Sequence, residues 1–190
     1  MRAIACFFSL MLSVQLMPGA GPGEGEPGME HSRFPRLEVQ ALDRTMVLLP
    51  DSAEGFVTLL GFAFRMALQD DLTTWLLPYA DEFGGDSLFR AYEVPMMGNG
   101  MAVRLLRGTI DRSMRRSIPE HQHRYVLPVY ADYREFEAAL DMEDHSVVHM
   151  FLLDRQGRIR WRGQGPPSDG DIPVLFARAR VLASETLPDH

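Results

Sequence analysis

Chemistry in this chain would have to come from histidine, methionine and arginine, because the only thiol among its 190 residues is Cys6. His121 and His123 stand two apart, which puts both imidazoles on one face if the segment is extended, an arrangement that suits a metal such as zinc. No third ligand stands near them in sequence, and a polar approach to a strand is the competing reading. His145 and His149 complete a cluster only if the strands bring them round. Met96, Met97 and Met101 offer soft thioethers of the kind that hold Cu(I), although methionines at a strand end and a helix start also fill cores. The remaining candidates are cationic. Arg65 follows a buried-strand pattern, and Arg158, Arg160 and Arg162 bracket Trp161. An aromatic flanked by arginines has the composition of an interface hot spot; packing of Trp161 beneath the last helix is the alternative.

These residues need elements to position them, and the stretch that organises the chain runs from Gly55 to Leu77. The apolar run Phe56–Phe64 reads as a strand buried on both faces. Asp70-Asp71-x-x-x-Trp75-Leu-Leu77 reads as a helix with acids in its first turn. Arg65 lies between the two. A cation beside a helix N-terminus is unfavourable unless an acid pairs with it, so Asp70 or Asp71 is the expected partner.

Length and composition bound the rest. With 46% apolar residues and no repeat, the chain can bury one core of good size, so one domain is expected. The net charge is −7. That balance argues against nucleic acid and against anionic lipid as the main partner, leaving membrane contact only through another protein. Residues 1–20 have the single charge Arg2, an apolar core from Ala3 to Met17 and then Pro18-Gly19-Ala20, which describes a secretory signal peptide. A retained membrane anchor would be longer and a mitochondrial presequence richer in arginine; these stand as the alternatives. Cys6 would leave with the signal. Residues 21–32 are mostly Gly, Pro and Glu and read as a linker, so the domain is expected over 33–190.

Within the domain, alternation over Leu37–Ala41 and the run Met46–Leu49 predict an N-terminal hairpin. The first helix should end near Gly84-Gly85, and Leu88–Met97 predicts a strand that stops at Pro95. A helix follows from Met101 to Met114 with a basic face of Arg104, Arg107, Arg112, Arg115 and Arg116. Tyr125–Tyr130 predicts another strand, and Asp132 can cap a helix over Tyr133–Leu140. Val147–Leu153 is a further buried strand, Asp154-Arg-Gln-Gly157 turns into Arg158–Trp161, and a last helix spans about Ile172–Ser184. The order gives an α/β sandwich with Phe56–Phe64 and Val147–Leu153 at the centre of a mixed sheet.

Leu127-Pro-Val-Tyr-Ala-Asp-Tyr-Arg-Glu-Phe-Glu-Ala-Ala-Leu140 with Phe151-Leu-Leu-Asp-Arg-Gln-Gly-Arg-Ile-Arg-Trp161 resembles the second half of the thioredoxin-like superfamily, in its peroxiredoxin and thiol-disulfide branch. The pairing of Phe62-Ala-Phe-Arg65 with Arg158-Ile-Arg-Trp-Arg-Gly-Gln-Gly165 is most similar to the family of mitochondrial assembly factor ten, which helps build the membrane sector of ATP synthase. The resemblance spans about Phe34 to Ala183. It implies a three-layer thioredoxin-like sandwich, with helices on both faces of a central mixed sheet and an N-terminal β-hairpin, used as a chaperone or docking module. In that superfamily the strand-to-helix loop carries a cysteine whose thiolate the helix N-terminus stabilises. Here Met66-Ala-Leu-Gln69 offers no replacement nucleophile. The superfamily's cis-proline would fall near Asp144–Val147, where no proline stands.

The expectation is therefore an exported, periplasmic or extracellular, redox-inactive binding module with no cofactor, no nucleic-acid partner and a protein partner, acting as an assembly or chaperone factor for an envelope or membrane protein complex. Arg65, Arg158, Arg160, Trp161 and Arg162 are its candidate contact residues. The hairpin is preferred over the basic helix because it couples an aromatic anchor to charge. The alternative is a copper or zinc carrier, or a non-thiol enzyme, using the histidines and methionines.

Overall fold

A computed structural model describes residues 31–186; the expected signal segment and most of the linker lie outside them. The elements run β1 (Leu37–Gln40), β2 (Met46–Leu49), β3 (Val57–Ala63), α1 (Gln69–Phe83), β4 (Phe89–Pro95), α2 (Met101–Ser117), α3 (Arg134–Ala139), β5 (His149–Leu153), β6 (Ile159–Gln164) and α4 (Asp171–Ser184). The central sheet has the order β4-β3-β5-β6, with β3–β4 parallel and the other pairs antiparallel. β1 and β2 form their own antiparallel hairpin. His31 and Ser32, at the end of the expected linker, already hydrogen-bond Ile159.

β3 and β5 are buried at every residue, as an apolar run between neighbours on both sides requires. The first face of the sheet packs Leu59, Met150 and Leu152 under α1 and α4, which contribute Leu72, Trp75, Tyr79, Leu175 and Ala179. Gly61 permits this closeness: a Cβ there would stand 2.5 Å from Leu72 Cδ1. The second face packs Leu60, Phe62 and Phe151 under the β1–β2 hairpin, residues 127–142 and Phe136 of α3. Helices thus lie on both faces, but α2 joins neither core, because none of its residues is buried.

Two expectations are corrected. Tyr125–Tyr130 is not a full strand: it meets β4 only through bridges at Val126 and Val129. Pro128 between them has no N–H to continue a ladder. Residues 120–125 form a 3-10 helix instead, so His121 and His123 are not on an extended segment. Asp132 does meet the start of α3, where its carboxylate accepts the Arg134 N–H at 3.3 Å.

Candidate functional site

The site begins where β3 ends. Phe64 and Arg65 leave the sheet, Met66–Leu68 make one 3-10 turn, and α1 starts at Gln69 without a side-chain cap. Leu68 is buried and anchors the turn, whereas Met66 is 89% exposed at its tip. Acids at Asp70 and Asp71 favour the helix N-terminus. Arg65 is exposed and ion-pairs with neither of them. Its field falls instead on Asp144, whose carboxyl sits below its ordinary value chiefly through the Ser146 hydroxyl and N–H, with smaller help from Arg65.

The segment before β5 closes this corner. The His145 ring stacks on Phe64 with centroids 4.0 Å apart and planes at 10°, and Tyr133 meets Phe64 edge-on at 5.7 Å. His145 Nε2 contacts the carboxylate of Glu137, a buried acid on α3. His149 is 1% exposed, and its Nε2–H donates to the Asp144 carbonyl at 2.9 Å. Burial lowers the His149 pKa, with the Arg162 cation adding to the effect, so the ring is neutral and its Nδ1 lone pair has no partner. Both imidazoles that could have formed a metal cluster are therefore engaged singly. Among the described residues no group of three or more His, Cys, Asp or Glu is placed to hold a metal ion.

The other candidates are dispersed. His123 is buried with Nε2 at 2.9 Å from the Ile118 carbonyl, while His121 lines an open groove beside α1. Met96 is in the second-face core and Met101 is 81% exposed, so the methionines make no thioether cluster. The hairpin set is tied into the protein. Trp161 takes the packing alternative: it is only 6% exposed, packs on Trp75 at 5.4 Å and its ring covers Gly163. Arg158 and Arg160 both reach Asp154, at 3.1 and 3.0 Å, and Arg160 also forks onto Glu185 at the end of α4. Arg162 binds Asp141 and the carbonyls of Leu140 and Asp141, closing the C-terminal end of α3. The reason is local: a hairpin strand beneath α4 offers its aromatic side chain to the core, and the guanidiniums then find the acids at the strand's ends.

Sequence reasoning did not find the Phe64–His145 stack or the Glu137 contact. Neither leaves a local signal, since 81 positions separate the two rings and α3 intervenes. It did place the loop between β3 and α1. That loop has the strand, tight turn and helix start of a thiol site, but no thiol.

A family description, ATP10 protein, matches residues 34–182. The chain belongs to the ATP10 protein family. Its fold is thioredoxin-like. A protein named as a thiol:disulfide interchange protein DsbE from Chlorobium tepidum superposes with a TM-score of 0.59 at 13% identity, covering 82% of this chain and 98% of its own. The thioredoxin domain of a thiol-disulfide oxidoreductase from Bacteroides vulgatus gives 0.55 at 17% identity, over 78% and 96%. A thiol-disulfide oxidoreductase from Bacteroides fragilis gives 0.54 at 9% identity, over 77% and 98%. No curated protein matches this ATP10 family member. With Cys6 as its only cysteine, it has no CxxC pair anywhere in the sequence.

Proposed function

We propose that this ATP10 family protein is a redox-inactive thioredoxin-like binding module that acts as an assembly or chaperone factor for a membrane protein complex. By the resemblance that family carries, the complex is ATP synthase, the bound partner a subunit of its membrane sector, and the compartment the mitochondrion rather than an exported one. The observation that carries the reading is the strand-to-helix loop: it keeps the architecture of a thiol site while presenting Met66 in place of a nucleophile, under a corner closed by the Phe64–His145 stack. Thiol–disulfide exchange needs a thiolate attacking a sulfur, and no described residue can supply one. What remains for this fold is recognition.

Two measurements on the full chain test it. In an insulin-reduction assay with dithiol, and in a hydroperoxide-consumption assay, the protein should not exceed the blank. Crosslinking in mitochondrial membranes should join it to a membrane-sector subunit of ATP synthase. Turnover in either assay, or crosslinks that omit that complex, would overturn the reading.

A further inference from the structure

Helix α2 inverts the usual arrangement of a surface helix. Its body side is fastened by polar clips: the Arg115 Nε–H donates to the Leu42 carbonyl at 2.6 Å, the Tyr130 hydroxyl donates to Asp111 at 2.6 Å, and the Arg107 guanidinium lies 4.6 Å from the centre of the Tyr130 ring. Val103, Ile110 and Met114 on that side are half-buried. The solvent side carries the large apolar residues: Met101 is 81% exposed, Leu105 80% and Leu106 54%. Met101 and Leu105 are one turn apart. Arg112, seven residues beyond Leu105, and Arg116, four further, continue the same stripe and are exposed.

Charge is segregated in the same way. α2 holds five arginines and one acid, Asp111, on a chain of net charge −7, so the rest of the protein is more acidic than the total. Among the described residues Arg104, Arg112 and Arg116 have no ion pair. The chain contains no lysine, so its permanently cationic side chains are all arginine. A guanidinium stays charged and pairs with phosphate oxygens in bidentate fashion.

We propose that α2 docks the protein on an anionic bilayer surface, lying in the interface with Met101, Leu105 and Leu106 among the headgroups and Arg112 and Arg116 on lipid phosphates. Net charge alone argues against such a partner. Screening reverses that conclusion, because at physiological salt a charge is felt over about 8 Å, so a bilayer meets the cationic helix and not the acids behind it. A bilayer fits better than an acidic protein segment. A partner helix is gripped by an apolar groove. The cleft bordering α2 is lined by Asn99, Arg104, Arg107, Tyr130, Ala131 and Asp132, so two guanidiniums stand at it where a helix groove would need aliphatic walls, and the exposed leucines lie on a different side of the helix. Met101 and Leu105 form a convex stripe, with Leu106 beside it, suited to a planar, deformable surface. This proposal is independent of the assembly-factor reading and stands if that reading fails.

The test is co-sedimentation of the full chain with vesicles of phosphatidylcholine alone and of equimolar phosphatidylcholine and phosphatidylglycerol. Binding should require the anionic lipid and should be released by salt near 1 M, where the screening length falls to about 3 Å. L105S/L106S and R112E/R116E should each weaken partitioning by roughly tenfold or more with unchanged far-UV circular dichroism. If the leucine pair disturbs the fold, the arginine pair decides. Equal binding to neutral vesicles, or both variants binding as the wild type does, overturns the proposal and assigns the binding to the apolar run near the N-terminus. Retention on polyglutamate without vesicle binding overturns it in favour of an acidic protein partner.

Discussion

Helices α1 and α2 are 15 and 17 residues long, and each follows a strand of the same parallel pair, yet the protein treats them oppositely. α1 sends Leu72, Trp75, Tyr79 and Phe83 into the first-face core, and its approach is close enough to need Gly61 beneath it. α2 buries nothing. The reason lies in what covers the second face. Tyr92 and Val94 of β4 are already packed by the β1–β2 hairpin and by Leu127 and Val129, so no apolar site remains for α2 to enter. An amphipathic pattern shows that a helix has an apolar side; the rest of the fold decides whether that side is core or surface. For α1 it is core, which positions the Phe64–Leu68 loop. For α2 much of it is surface, at Met101, Leu105 and Leu106.

The largest effect that separates the two helices should come from Trp75. Its indole N–H donates to the buried Gly165 carbonyl at 2.7 Å and its ring packs on Trp161, so W75A empties a large volume and leaves an acceptor unpaired. The expected loss is about 3–5 kcal/mol of unfolding free energy, read from urea denaturation. A loss below about 1 kcal/mol would mean that α1 is held no more firmly than α2 and would end the comparison.

Much of this architecture could be read from the residues, and the failures share a cause. β3 and β5 announce themselves because a strand buried on both faces is apolar throughout, and Asp154-Arg-Gln-Gly157 announces its turn through a side chain that accepts the N–H groups of Gln156 and Arg158. The thiol loop was placed by the same logic. For Trp161 the residues left two readings open, because what buries it is Trp75, distant in sequence, and the partners of Arg160 and Arg162 in Glu185 and Asp141 are also non-local. The α2 periodicity was legible while its exposure was not, since exposure depends on what the hairpin had already covered. Residues 125–130 contain good strand formers, but Pro128 limits their pairing to two bridges.

A second prediction concerns a polar clip on the packed side of the molecule, for contrast with those of α2. Asp154 is 1% exposed, and its two oxygens accept the N–H groups of Gln156 and Arg158 and the guanidiniums of Arg158 and Arg160. Burial alone would raise its pKa, but these donors outweigh it and hold the carboxyl below the ordinary value of 3.8. Because the folded-state pKa is the lower one, this stabilisation is present above about pH 3.8 and is lost as pH falls from there through the folded value. D154N should cost about 2 kcal/mol near neutral pH, since an amide presents N–H groups to guanidinium donors. The variant should also be less sensitive than the wild type to acid below that point. Parallel acid-unfolding curves for the two proteins would remove Asp154 as the titrating anchor.

The smallest effect should be the most informative about α2. Leu105 is 80% exposed and belongs to neither core, so L105S removes no buried contact. Serine is a slightly poorer helix former than leucine, which sets the expected cost at under about 0.5 kcal/mol. A leucine normally repays its place in a sequence through burial on folding, and at this position it does not. Thermal unfolding of L105S should therefore overlay that of the wild type, in contrast to W75A. If L105S instead loses stability on the scale of W75A, α2 packs its leucines within the folded chain or against a second copy. Sedimentation velocity of the wild type then separates those cases: a dimer that L105S dissociates places a second copy on the stripe, and a monomer in both proteins places the leucine within the chain's own core. An overlay of the melting curves leaves the stripe as apolar surface that folding alone does not use, which is the condition a docking face must meet.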